Sequence, residues 1–439
     1  MVYKLNLMTI FIIAVLGAVS SYLANQNIAV FNDGSRPMYG PYIEGKIDRK
    51  TLFATSFALS FGLVVGFGIP TSIAGGIIII HTILLACDII GVAFKDDKKG
   101  RIFAGITGAA FGVFLLFGMK WIVDFFAFMP INFLNNLSTV GSLVIILFSV
   151  FPALAIAYQS GFKIGAIVFI LIMLIKQIVI VFGTFTINNI KIVLNPDGMA
   201  LLFGIIAMVF VAARQNRSEG RSASDAFKIF EKNIERIKKN IIILSISGGI
   251  IAISTTLLII AEGPASLTLM AKGNYLEAAI VALGRALGFI PLVMTTAIIS
   301  GVYSPSGTKL VHVPAILLIN MGIMGLVGSF VIGSLIMAIE VLLLAYIAKG
   351  MDKFPGMKDL GDNTRTAMSK VLDIALLVGG MLAANEIAPN LGFLWVGGLY
   401  FLNQTSKKPV PNMAIGPIGA ISMGVLVNIL HIIGLFPII

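Results

Sequence analysis

The chain has 439 residues, of which 58% are hydrophobic and only 12% charged, and its net charge is +11. A soluble domain carries roughly 25% charged residues, so a globule of this composition could not cover its own surface, and lipid must be its outer solvent. The single cysteine, Cys87, excludes a disulfide framework and a cysteine-based metal site, and the surplus Lys and Arg fall between apolar blocks, which marks cytoplasmic loops rather than a nucleic-acid surface.

A membrane-spanning helix needs roughly 20 apolar residues. On that measure the chain offers segments at 5–23, 51–68, 72–94, 102–117, 139–158, 164–183 and 198–213, and then a charged stretch. Beyond it come 241–261, 277–303, 310–326, 329–348, 367–384, 391–402 and 414–436. The first is read as a span rather than a cleaved signal, because further apolar blocks follow it. The segment 391–402 is short enough to be re-entrant. The expectation is an all-α polytopic membrane protein with about 12–14 transmembrane helices, multi-pass in the cell (inner) membrane. Alternating ten-residue segments, the mark of an outer-membrane barrel, are absent from the sequence.

With the N-terminus outside and one crossing per segment, the inner loops are 24–50, 95–101, 159–163, 214–240, 304–309, 349–366 and 403–413. They hold most of the Lys and Arg, including the run from Arg214 to Lys239, whereas the outer loops hold Lys120, Lys191 and Lys272. This is the positive-inside pattern.

The stretch 214–240 divides an N-terminal half, 1–213, from a C-terminal half, 241–439. In it Phe227, Phe230, Ile234, Ile237 and Ile241 recur at helical spacing, opposite Lys228, Lys232, Arg236 and Lys239. Such a cytoplasmic amphipathic helix can lie on an anionic leaflet or simply link the halves. Seven segments on each side would invert the halves relative to one another, a plan common in secondary transporters. That expectation rests on the count alone. Gly105, Gly108 and Gly112 share a helix, as do Gly322, Gly325 and Gly328, at spacings that let helices approach closely.

A charge at the bilayer centre costs on the order of 3 kcal/mol on insertion scales, so it is kept where it faces a cavity or a partner. Asp88 lies in the third segment with His81 two turns earlier on the same face; together they could form a cation or proton site, or be a solvated end and a packing residue. Glu340 sits mid-segment and is a candidate for a coupling ion, or for a structural salt bridge. Asp373, early in its segment, is a further candidate. Arg285 lies in a segment with Gly284, Gly288 and Pro291, and proline breaks or kinks a helix. Unwound backbone beside a fixed cation suits an anion, with Thr295 and Thr296 adding hydroxyls. The alternative is an arginine paired with Glu277 or Glu340. Lys120, Asp124 and Glu386 lie near segment ends, Lys176 can snorkel, and Asn403 and Asn428 suit helix packing. No metal motif, P-loop or nucleotide fingerprint is present, so no enzyme, metal or cofactor is expected.

Two loops stand out. One contains Asp33-Gly34, which favours a turn, then Arg36-Pro37 and Glu44, and is apolar enough to dip into the bundle as a gate. The other, Asp362-Asn363-Thr364-Arg365, would open a helix with Asp362 or Asn363 as its cap. The run from Ala29 to Pro37 with Ile43-Glu44-Gly45, then Asp88-Ile-Ile-Gly91, Phe151-Pro152, Arg285 onward to Gly301-Val302-Tyr303, Glu340-Val-Leu-Leu-Leu344, Asp362-Asn363 and Tyr400-Phe-Leu-Asn403 resembles the YhfT family of bacterial inner-membrane proteins. The resemblance covers nearly the whole chain in order. It implies transport of a small amino-acid-like or carboxylate solute, and it assigns no substrate.

The reading that follows is an ion- or proton-coupled secondary transporter of a small anionic or zwitterionic solute, moving elevator-fashion. Substrate would meet Arg285, Pro291, Thr295, Thr296, Asp33, Arg36 and Glu44. The coupling cation, a proton or sodium, would meet Glu340, Asp88, His81 and Asp373, and Asp362, Asn363 and Arg365 would gate or cap. A second copy of the chain is a further expected partner, beside solute and lipid, and no nucleic acid is expected. The alternatives are a passive facilitator, or a membrane-embedded enzyme acting on a lipid-linked substrate at a cleft shared by Lys120, Asp124 and Asp373.

Overall fold

In hydrocarbon a backbone can bond only to itself, so apolar blocks of this length close into helices. The computed structural model describes residues 5–187, 190–194, 196–214, 223–353, 356–407, 409–410 and 412–436. The first half runs α1 (Leu7–Asn25), α2 (Arg36–Ile43), α3 (Arg49–Leu63), a π-helical turn at Val64–Gly68, α4 (Ile69–Gly75), β1 (Ile78–Ile79), α5 (Ile80–Ala93) and α6 (Lys98–Ala127). It continues with α7 (Leu134–Phe148), α8 (Phe151–Ser160), α9 (Phe162–Phe182), the hairpin β2 (Thr184–Ile187) and β3 (Ile190–Val193), and α10 (Pro196–Arg214). After α11 (Ala223–Lys239) come α12 (Ile241–Thr256), β4 (Ile260–Ala261), α13 (Pro264–Ala271), α14 (Tyr275–Ser300) and α15 (His312–Leu317). The chain ends with α16 (Gly322–Lys353), α17 (Gly356–Ile387), α18 (Leu391–Gln404) and α19 (Asn412–Ile432).

The protein is an all-α polytopic membrane protein. Among the described residues five helices are both long and apolar enough to cross a bilayer, and up to seven if two bent pairs each count as one span. Their outer faces stay apolar toward lipid: Phe114, Phe162, Phe182 and Met324 are more than 70% exposed. The small-residue stripe on α6 seats α1, and a Cβ on Gly108 would overlap the Gly17 carbonyl. The two helices therefore pack backbone to backbone, as small residues allow in lipid.

Several apolar segments are not single helices. The segment 72–94 breaks after Gly75, where Gly76 turns left-handed (φ 66°), before β1 and α5. The segment 139–158 is divided between α7 and α8. The segment 310–326 is not a span: α15 is six residues long, and the chain turns through Asn320 (φ 72°) into Gly322 (φ 59°), where α16 starts. The preceding stretch, 301–309, is buried throughout. Irregular backbone is tolerated at such depth only inside protein, and here it crosses the bundle interior. It meets a second irregular stretch, 26–35. Ala29 and Tyr303 form a parallel bridge, with Val30 N donating to Tyr303 O (2.8 Å) and Tyr303 N to Ile28 O (3.0 Å). Deeper in, β1 and β4 pair in parallel, Ile78 with Ile260 and Ile79 with Ala261.

These pairings join the two halves, whose residues share core clusters throughout. Several loops that the charge alternation puts on one side touch one another, while 304–309 does not join them but lies in the interior. Arg49 bonds the carbonyls of Asn25, Gly91, Val92 and Phe94; Arg236 bonds Asn27 O (3.1 Å); and Asn363 reaches Gln159 (3.5 Å). At the other ends Thr139 meets Glu386 and Asn428 meets Ile131. The amphipathic linker helix is α11, but its apolar face is not offered to a leaflet. Ile234 and Ile237 are buried against α14 and α16 with Phe230 beside them, and Asn233 bonds the carbonyls of Ile298 and Ile299. The side chain of Phe227 lies outside the description.

Candidate functional site

Where the helices break lies a cavity of about 450 Å³. Its wall is largely aromatic and aliphatic, with Phe31, Phe67, Phe148 and Phe289 among the lining rings. Two helices start at it. His81, in the first turn of α5, and Pro264, the first residue of α13, both line it. First-turn amides of a helix have no intrahelical acceptor and carry the positive end of the helix dipole.

Arg285 lines the cavity from α14 and is 8% exposed. α14 bends by 45° between Tyr275–Leu287 and Leu292–Ser300, as the sequence around Pro291 predicts, yet it remains one helix and is not unwound. The side chain of Pro291 lies outside the description. The partner of Arg285 is neither Glu277 nor Glu340 but Glu262, 3.4 Å away and fully buried between β4 and α13. Glu262 also accepts from Ser266 Oγ (2.9 Å). Gly263 leaves the room that the guanidinium fills, since a Cβ there would overlap it. Phe148 and Phe289 lie beneath the guanidinium, their centroids 5.6 and 6.0 Å from it.

Lys309, assigned by charge alternation to the border of an inner loop, lies instead on the cavity wall and is 3% exposed. Its ammonium sits 3.6 Å from the centre of the Phe289 ring and 5.6 Å from that of Phe31. Among the described residues no carboxylate lies within 4 Å of it. His81 stands edge-on between Phe31 and Phe67, centroids 5.2 and 5.3 Å away, and its Nδ1 has no hydrogen-bond partner.

Asp33 and Asp373 also line the cavity. Asp33 is in an ion pair with the fully buried Arg36, which reaches Val293 O (3.4 Å) and is not itself on the wall. The dip of the loop after α1 therefore does reach the interior.

Asp88 and Glu340 are placed elsewhere, and they have similar tasks. Asp88 accepts from the amides of Phe31 (3.1 Å) and Asn32 (2.8 Å), and so holds the first irregular stretch. Glu340 accepts from Thr308 N (3.1 Å), from Thr308 Oγ1 and from the Tyr303 hydroxyl (3.0 Å), and so holds the second. Neither lines the cavity. Asp88 and His81 share α5 but act on different surroundings.

Other expectations fall away from the site. Glu44 is a surface residue at the end of α2, paired with Lys46 (2.5 Å). The Thr295 and Thr296 hydroxyls donate to carbonyls of their own helix, at Leu292 and Val293, rather than line the cavity. Asp362, Asn363 and Arg365 lie inside α17, which starts at Gly356, so no cap forms there; the side chains of Asp362 and Arg365 lie outside the description. Lys120 and Asp124 pair with each other on α6 (2.5 Å), away from the cavity that Asp373 lines. Lys176 pairs with Asp197 (2.6 Å). The residues sequence reasoning missed are Glu262, Lys309 and Gly263. Glu262 stands one residue beyond an apolar segment and Lys309 one residue before another, so each reads as a loop charge. The signal available was the Gly263-Pro264 break that follows Glu262.

The chain matches the family YhfT, described as a protein of unknown function, over residues 9–436. It is 30% identical to the uncharacterized protein YhfT of Escherichia coli (strain K12), over 97% of this chain and 98% of that one. No solved structure matches it.

Proposed function

The chain belongs to the YhfT family, and we propose that it is a secondary transporter of a small organic anion or zwitterion, driven by a proton or sodium gradient across the inner membrane. One observation carries this reading. The cavity lies within the helical bundle and is walled by rings, and two buried cations, Arg285 and Lys309, line it beside the Phe289 ring. Charge held at such depth is expensive and marks a solute path. The helix starts of α5 and α13 add to the positive potential there.

Asp373 also lines the wall, with no ion-pair partner within 4 Å among the described residues. It is the seat proposed for the coupling cation, in place of Asp88 and Glu340, whose acceptors are taken up by loop amides and hydroxyls. Access would alternate through relative motion of the two halves about the pairings at β1–β4 and Ala29–Tyr303.

The test is uptake of labelled small carboxylates and amino acids into proteoliposomes, with an imposed proton or sodium gradient. Uptake should require a gradient and should fall to background in Arg285→Ala. Gradient-independent flux would favour a passive facilitator, and uptake unaltered in Arg285→Ala would remove the site from the mechanism.

A further inference from the structure

The charges on the cavity wall can be paired off one by one. Asp33 is neutralised by Arg36, and Asp197 by Lys176. Arg285 is neutralised by Glu262, whose carboxylate lies behind it and is fully buried. Asp373 and Lys370, one turn apart on α17, also line the wall without an ion pair within 4 Å among the described residues, but Lys370 is exposed and Asp373 only half-buried, so neither is a buried charge without a partner. That leaves Lys309. It is buried, it lines the cavity, and its ammonium rests on the face of Phe289 with no carboxylate within 4 Å among the described residues.

A cation over an aromatic ring gains part of what water would give it, but an ammonium in an apolar wall still lacks a counter-ion. The Arg285 Nε also has no hydrogen-bond partner. One negative charge placed between Lys309 and the open edge of Arg285 would satisfy both. The rest of the space around these cations is mostly apolar, formed by Phe31, Phe67, Phe148 and Phe289 with Leu85 and Leu292, and the His81 ring between Phe31 and Phe67 is the polar group among them. A compact dianion would leave its second charge against these rings, and a wholly polar solute would leave the rings wet.

We propose that the cavity selects a monoanion with an aromatic or branched apolar body, with Lys309 the residue that sets the preference for a single negative charge. This rests on the transport reading above and narrows its substrate to one class. Such a solute would lay its body against Phe67 and Phe148 and direct its carboxylate to Lys309. At about 450 Å³ the cavity admits a single-ring acid with room to spare.

The test uses the full chain, in detergent for binding and in proteoliposomes for uptake, with four probes: 3-phenylpropionate, propionate, succinate and 3-phenylpropionamide. By calorimetry 3-phenylpropionate should bind at least about tenfold more tightly than propionate or succinate, which corresponds to about 1.4 kcal/mol. It should exceed its uncharged amide by a similar factor, and Lys309→Met should abolish the advantage over the amide. Lys309→Arg, which retains the charge, should keep it and guards against a variant that merely fails to fold. If succinate or propionate binds and is taken up while 3-phenylpropionate is not, the proposed class is wrong and the transport reading stands. Equal binding of the acid and its amide by the unaltered protein would overturn the role of Lys309. If none of the acids binds or is taken up, this proposal fails, and the transport reading is decided separately by the uptake of amino acids described above.

Discussion

The Arg285 guanidinium on α14 lies 3.4 Å from the Glu262 carboxylate, which is carried on the bend between β4 and α13. The pair ties a kinked helix to a re-entrant turn at the edge of the cavity. Glu262 is fully buried, so removing the arginine would strand a carboxylate, and breaking a buried pair costs about 3–5 kcal/mol. Arg285→Met should therefore lower the thermal unfolding temperature of the detergent-solubilised protein clearly. Arg285→Met with Glu262→Gln should recover most of that loss while leaving uptake at background. A single variant as stable as the parent would show that the pair contributes nothing to the fold.

Gly263 tests the same site without touching a charge. Its missing Cβ is the space occupied by the guanidinium, and the backbone there is extended (φ −164°), so alanine strains nothing locally. Gly263→Ala must push Arg285 aside. Solute affinity should fall by about tenfold, the equivalent of about 1.4 kcal/mol, with secondary structure by circular dichroism unchanged. Retained affinity would mean that the guanidinium position is not what the solute reads.

The membrane class and the kink of α14 were legible in the sequence, because hydropathy and proline act locally. Arg285, His81, Asp33 and Asp373 all line the cavity: the cost of charge in lipid pointed to Arg285, whereas Asp33 was read as part of a dipping loop and Asp373 as lying early in its segment. The rest depended on partners far along the chain. Asp88 and Glu340 are as buried as a coupling site would be, but their acceptors are used by the amides of Phe31, Asn32 and Thr308. Hydropathy cannot distinguish those two uses of a buried carboxylate. Lys309 and Glu262 were read as loop charges because hydropathy assigns irregular backbone to the surface, whereas here it runs through the protein interior.

Glu340 provides a direct contrast between clamp and coupling site. Glu340→Ala leaves the Thr308 amide and the Tyr303 hydroxyl buried without an acceptor, at about 1–3 kcal/mol each. Glu340→Gln retains an acceptor oxygen at nearly the same place. The alanine variant should therefore unfold several degrees earlier than the glutamine variant. Uptake by Glu340→Gln should keep its dependence on the ion gradient. Loss of that dependence in a well-folded Glu340→Gln would return Glu340 to the coupling role.

Asp48 gives a pH-dependent prediction outside the membrane. It caps α3, accepting from Thr51 N at 2.8 Å, and hydrogen bonds from Thr51 hold its carboxyl below the usual range. A depressed folded value means the cap stabilises above the unfolded pKa and is lost as pH falls through the folded one. Exchange of the Thr51 amide should therefore be slow at neutral pH and accelerate, relative to mid-helix amides, once the solution is acidified below the normal carboxylate range. Asp48→Asn, which keeps an uncharged acceptor suited to a helix N-cap, should remove the acid dependence but keep the protection, whereas Asp48→Ala should remove both. An exchange profile for Asp48→Ala that still follows the parent through the acid range would show that the start of α3 is held by something other than this cap.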